Sequence, residues 1–244
     1  MMKMLTFASR TFKEICRDPL TVAFGLGFPL VVLLLLSAIQ ANVPVSLFEI
    51  DSLTPGICVF GLSFVSLFSA MLISKDRETS LQRRLFTTPL TAADFLLGYT
   101  LPLLPISVLQ SVICYAAALL LGLKPTLGIL WSLIFILPAA LLYIAVGLLC
   151  GSLLNDKQVG GICGALLTNL TAWLSGIWFD VSLMGSAFKH IANALPFIHA
   201  VQMGRAALAG DLAAAAHELP IVLGYAIVLG AVGTAIFTRK MKEN

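Results

Sequence analysis

The run Leu127–Leu154, LGILWSLIFILPAALLYIAVGLLCGSLL, carries no charge, and its only hydroxyls are Ser132, Tyr143 and Ser152. It exceeds the roughly 20 apolar residues that cross a bilayer as a helix. The apolar residues are continuous, without the alternation of a barrel strand. In lipid, unsatisfied backbone groups cost several kcal/mol each, so such a run must close its hydrogen bonds within a helix. The chain around it has the same character. Its 244 residues are 59% hydrophobic and 11% charged, with a mean hydropathy of +0.99. Ordinary globular domains are about 25% charged, so lipid must solvate much of this surface.

On either side of it, five more uncharged stretches lie at Pro19–Phe48, Ser52–Ser74, Phe95–Leu123, Gln158–Phe179 and Leu219–Thr238. A charge at the centre of a span would add about 2.5–3.5 kcal/mol to insertion, and none of the six stretches bears one. The fold expected is an all-α membrane protein with six transmembrane helices. They are placed at Thr21–Ala41, Leu53–Ser74, Phe95–Leu123, Leu127–Leu154, Val159–Phe179 and Leu219–Thr238. The first follows a long basic segment, with no small-x-small site close behind it, and is expected to be retained.

Positive charge orients the bundle. Lys3, Arg10, Lys13, Arg17, Lys75, Arg77, Arg83, Arg84, Lys157, Arg239, Lys240 and Lys242 fall on one side, against Lys124, Lys189 and Arg205 on the other. The richer side is expected to be cytoplasmic, with both termini there. The net charge of +3 reflects this bias. No basic stripe interleaved with aromatics points to nucleic acid.

Residues 1–18 form an expected interfacial helix. At 100° per residue its four cations cluster within about 80° of arc, opposite Leu5, Ala8, Phe12, Ile15 and Cys16. Such a helix lies on the inner leaflet, or serves only as a topology anchor. Residues 181–218 form an outer segment, expected to fold as short helices tucked into the outer leaflet. One helix should start at Pro196, run through Ala209 and end at Gly210, with Asp211 capping the next. His190, His199 and His217 lie in this segment without metal-ligand spacing, and Asp180 just before it suits a helix end better than a substrate site. The five cysteines show no CxxC. They are expected to be small buried hydrophobes. Gly147xxxGly151 and Gly160xxxGly164 permit close helix approach but do not say which helices meet.

Residues 75–94 stand apart as a cytoplasmic loop. Asp76 and Glu78 precede a short helical pattern and Arg83 and Arg84 end it, which suits the helix dipole. Leu81 and Leu85 share a face, Pro89 stops the pattern, and Thr91–Asp94 resembles a capping box opening the third span. The residues alone leave two readings open: a docking knob for a cytoplasmic partner, or a charged topology loop.

The run Asp76–Leu85 with Thr87-Thr88-Pro89, followed by Asp94–Tyr99, resembles the signature of ABC-2 type transporter permeases. Arg17-Asp18-Pro19 with Pro29, and Leu195-Pro196-Phe197 with Ala200, Val201 and Arg205, resemble the family's flanking segments. Many members carry Gly-Thr where this chain has Thr79-Ser80, a variant similar to that of drug and antibiotic exporters. The resemblance covers nearly the whole chain, as one transmembrane domain over residues 1–244. It implies a multi-pass permease in the cytoplasmic membrane of a bacterium, moving a hydrophobic or amphipathic substrate outward. Its implied partners are two copies of an ABC ATPase subunit and a second permease, identical or related, within the lipid bilayer. By carry-over, Glu78, Leu81, Arg83, Arg84 and Leu85 would touch the ATPase, while Arg77 and Pro89 shape the loop. The second and fifth spans would face the partner permease or line the path, offering Ser63, Phe64, Leu67, Asn169 and Trp173.

No GxxxxGK[ST] occurs in the chain, so ATP and Mg are assigned to the partner ATPase, and no enzymatic role, cofactor or metal is expected on this polypeptide. The alternative is a secondary transporter or channel. That class normally shows ionisable groups at the midplane or inverted repeats, and neither is visible. A membrane-embedded enzyme would need carboxylates or histidines gathered at one depth.

Overall fold

The computed structural model describes residues 2–78, 92–178, 181 and 185–243, and every regular element among them is helical, with no strand. Helix α1 is Met2–Arg17. Helix α2 is a continuous run of Pro19–Val22, a π-helical stretch Ala23–Gly27, and Phe28–Asn42. Then come α3 at Ile50–Glu78, α4 at Ala92–Leu120 and α5 at Leu127–Leu153. Helix α6 joins Asp156–Val159, a π-helical stretch Gly160–Leu167 and Thr168–Leu174. Helices α7 at Ser186–Ala194, α8 at Pro196–Ala209 and α9 at Leu212–Glu243 complete the order.

Among the described residues, five helices are long and apolar enough to cross a membrane: those of α2, α3, α4, α5 and α9. They match the first four and the last of the expected spans. The fifth expected span corresponds to α6, where Lys157, Gln158 and Asn169 dilute the apolar run and the π-helical stretch widens it. Helix α9 starts seven residues before its expected beginning at Leu219. Asp211 caps it through Ala214 N–H···Oδ1 at 2.9 Å, and the helix runs on through Pro220.

Helix α3 is the centre of the bundle, buried along most of its length. Helices α5, α4, α8, α6 and α2 pack around it, and α9 lies outermost against α5 and α8. Helices α3 and α5 approach closely. A Cβ on Gly147 would strike the Ser66 carbonyl, and one on Gly151 would come within 2.6 Å of the Ala70 carbonyl. Gly147xxxGly151 is thus the seam between these two helices, where small residues let backbones touch. The other motif differs, since Gly160 faces open space.

Some polar side chains inside the bundle pair across helices. Tyr143 Oη donates to Thr171 Oγ1 at 3.2 Å, joining α5 to α6, and Ser132 Oγ donates to the Gly204 carbonyl at 3.2 Å, joining α5 to α8. Helix α8 starts at Pro196 and ends at Gly210 as expected, and it is wedged among α3, α5 and α9. Its polar residues have found partners there. Arg205 donates to the Ser52 carbonyl at 2.9 Å and the Gly176 carbonyl at 3.1 Å, and His199 meets Glu218 and the Asn193 carbonyl. Asp180 lies outside the described residues.

Candidate functional site

The end of the bundle that carries α1 gathers four helices around the last turn of α3. The sequence places Lys75, Asp76, Arg77 and Glu78 there, and the structure makes all four the end of α3 itself. A carboxylate near a helix C-terminus opposes the helix dipole, typically by about 0.3–1 kcal/mol. Asp76 is nevertheless buried, because donors from two other helices converge on it. Arg10 of α1 forks onto both oxygens, at 3.2 Å and 3.1 Å, and Tyr99 of α4 donates at 2.8 Å. Fork-on-carboxylate pairing fixes direction as well as distance.

Arg10 also holds Glu14 at 2.9 Å, one turn along α1, and Lys75 lies 3.9 Å from Glu14. Burial acts against the Arg10 charge, but the hydrogen bond and charge of Asp76, with the charge of Glu14, outweigh it and raise the guanidinium above its ordinary value. Beneath these contacts Phe7 packs edge-on to Tyr99, with ring centroids 5.1 Å apart. Any Cβ at Gly98 would collide with the Phe7 ring, so the glycine is what lets α1 seat against α4.

Arg77 points the other way. Its Nη1 donates to the Gly151 carbonyl at 2.7 Å and the Leu154 carbonyl at 3.2 Å. These are C-terminal carbonyls of α5, left without intrahelical partners and attractive to a cation. Ser74 Oγ reaches Asp156 at 3.4 Å, beside the start of α6, where Asn155 and Gln158 form a reciprocal capping box. The end of α3 is thereby tied to α1, α4, α5 and α6 at once.

Of the residues expected to couple to an ATPase, Arg77 sits at this junction and Glu78 is the last residue of α3. Leu81, Arg83, Arg84, Leu85 and Pro89 lie outside the described residues, as does Thr91 of the expected capping box. The expected path or interface residues divide into two groups. Ser63 is fully buried with its hydroxyl on the Phe60 carbonyl, Phe64 packs on Phe28 and Phe60, and Leu67 lies partly buried against the core. Asn169 and Trp173 instead stand exposed on α6. The Arg10–Asp76–Tyr99 cluster was not among the sequence candidates. Its signal was weak but present: a carboxylate on the wrong end of an apolar helix, and a cation on the amphipathic helix nearby in topology.

Comparison with known proteins follows the same outline. The family model described as ABC-2 type transporter matches residues 2–209. A protein of Porphyra purpurea named as transport permease ycf38 is 31% identical over 146 residues, covering 57% of this chain and 50% of that protein. A protein of the same name from Pyropia yezoensis is 30% identical over 123 residues, covering 48% of this chain and 42% of its own length. The matched region thus spans about half the length of these curated relatives.

Proposed function

The chain belongs to the ABC-2 type transporter family, and from that premise we propose that it is the membrane-spanning permease of an ATP-driven exporter. The observation that carries the proposal is the junction at the end of α3. The most buried helix of the bundle leads directly into residues 79–91, and its last turn is fastened to four other helices. A push delivered to that segment by a docked ATPase would be passed to the whole basic end of the bundle.

In this reading α6 is a crossing too, the fifth of six, which brings both termini to the basic, cytoplasmic side and leaves α7 and α8 outside. Two ATPase subunits bind ATP and Mg, with Glu78, Leu81, Arg83, Arg84 and Leu85 as their landing surface. A second permease, identical or related, faces α6, whose Asn169 and Trp173 are exposed and whose Gly160 has open space beside it. The substrate is hydrophobic or amphipathic and moves outward across a cell membrane.

The test is co-purification with a candidate ABC ATPase that carries a Walker A motif. Glu78→Ala and Arg83→Ala should insert and fold normally, yet lose association or stimulated ATP hydrolysis. Wild-type coupling in both variants would remove the docking role.

A further inference from the structure

Three cavities adjoin one another around α1. The first, about 1160 Å³, is lined by Arg10, Lys13, Arg17 and Lys75 together with Glu14 and Asp18. The second, about 210 Å³, shares Glu14, Asp18 and Lys75 with the first. The third, about 180 Å³, shares Ile15 and Phe68 with the second and is otherwise apolar, walled by Phe12, Gly25, Pro105 and Leu109. The basic chamber and an apolar pit between α1, α2, α3 and α4 thus adjoin through the second cavity, whose wall carries Asp156 as well as Glu14, Asp18 and Lys75.

Two features define what fits. Four cations face two carboxylates in the chamber, and neither Lys13 nor Arg17 forms an ion pair with a described residue. The pit opens sideways, because Phe12 and Leu109 on its rim are 42% and 50% exposed. An occupant must therefore join an anionic head to an apolar chain and arrive from the side. We infer that this crevice seats one anionic phospholipid, its phosphate among Lys13, Arg17 and Lys75 and an acyl chain in the pit. The inference rests on the proposed topology, which puts this end of the bundle in the cytoplasmic leaflet.

Each basic residue facing an anionic headgroup contributes about a fivefold gain in affinity, while the acyl chain, already in hydrocarbon before it binds, is selected by its fit to the pit. The site joins α1 to the wall of α2 through the lipid itself, so occupancy should stabilise the packing of α1.

The experiment uses the purified full chain in neutral detergent. Bound lipid is counted by native mass spectrometry and thermal unfolding is followed with phosphatidylglycerol, phosphatidylcholine or glycerol phosphate. Phosphatidylglycerol should bind as one retained copy and raise the transition, and the other two should not. Arg17→Gln should weaken retention about fivefold, whereas Lys157→Gln, a cation at the start of α6, should leave it unchanged. Ile106→Trp and Leu109→Trp, which fill the pit, should abolish retention while unfolding normally in phosphatidylcholine.

Equal retention of both lipids, equal loss in the Arg17 and Lys157 variants, or full retention in a folded tryptophan variant would overturn the inference. A response to glycerol phosphate equal to that of the lipid would reduce the site to a phosphate site. None of these readouts involves an ATPase, so a failure of the export reading would appear separately, as lost co-purification with lipid binding intact.

Discussion

Replacing Asp76 with asparagine tests whether the junction is held by its charge cluster. The carboxylate is 9% exposed and accepts from Arg10 twice and from Tyr99 once, at 2.8–3.2 Å. Asparagine keeps one acceptor oxygen and presents an NH₂ group to the remaining donors. Tyr99 is only 2% exposed, so a hydroxyl left unmatched there cannot turn to water. Hydrogen bonds to charged groups contribute about 1.5–3 kcal/mol, and an orphaned buried donor costs about 1–3 kcal/mol. Arg10 is 37% exposed and recovers part of its hydration, which discounts the ion-pair share. The expected cost of Asp76→Asn is therefore about 2–3 kcal/mol. Arg10→Met leaves the carboxylate with Tyr99 and should cost about 1–2 kcal/mol. Because the two residues share one bond set, the double variant should fall short of the sum by about 1–2 kcal/mol. Equilibrium unfolding in mixed detergent micelles measures all three. If the two losses add to within about 0.5 kcal/mol, the fork is not an energetic link between α1 and α3.

Gly98→Ala should push Phe7 off Tyr99 and cost about 1–3 kcal/mol. Adding Phe7→Ala should recover part of that loss in the same unfolding assay, because the clash is with the ring. Gly151→Leu should abolish folded expression, as judged by monodisperse size exclusion, since the obstacle is the backbone of α3 and cannot move aside. Arg205→Met, which deprives the Ser52 and Gly176 carbonyls of their donor, should lower stability by about 1–3 kcal/mol and expose the start of α3 to hydrogen exchange.

The spans were legible because crossing a bilayer demands length and freedom from charge, both of which are local properties. The helix from Pro196 to Gly210 was legible for a similar reason, with a proline at its start and a glycine in the left-handed conformation at its end. Its burial was not legible. Arg205 and His199 look like surface residues until the carbonyls of Ser52, Gly176 and Asn193 and the carboxylate of Glu218 are brought to them. The same limit hid the junction. Arg10 and Asp76 are 66 residues apart, and each had a sufficient local account, one as a headgroup cation and the other as a carboxylate opening a loop helix. Helix α6 was legible as an uncharged run, while the widening across Gly160–Leu167 follows from no periodicity in the sequence.

The packing decides which parts of the bundle can transmit a displacement. Along Gly147 and Gly151 the backbones of α3 and α5 are in contact, and Arg77 clamps the end of α5 to the last turn of α3. Interfaces this tight do not deform gradually, so α3 and α5 should move as one body. Helix α1 is fastened differently, by a charge fork, an aromatic edge and the long side chains of one amphipathic face. The outer part of those contacts, Glu14 and Lys75 around the half-exposed Arg10, can be exchanged for water at modest cost, whereas the buried Asp76–Tyr99 part cannot. Helix α6 has open space beside Gly160 and an exposed face at Asn169 and Trp173. A force arriving through residues 79–91 would therefore meet a stiff pair at the centre and yielding contacts at α1 and α6. Under the proposed function, relative motion would concentrate at those two boundaries, at the rim of the single-chain bundle rather than in its core.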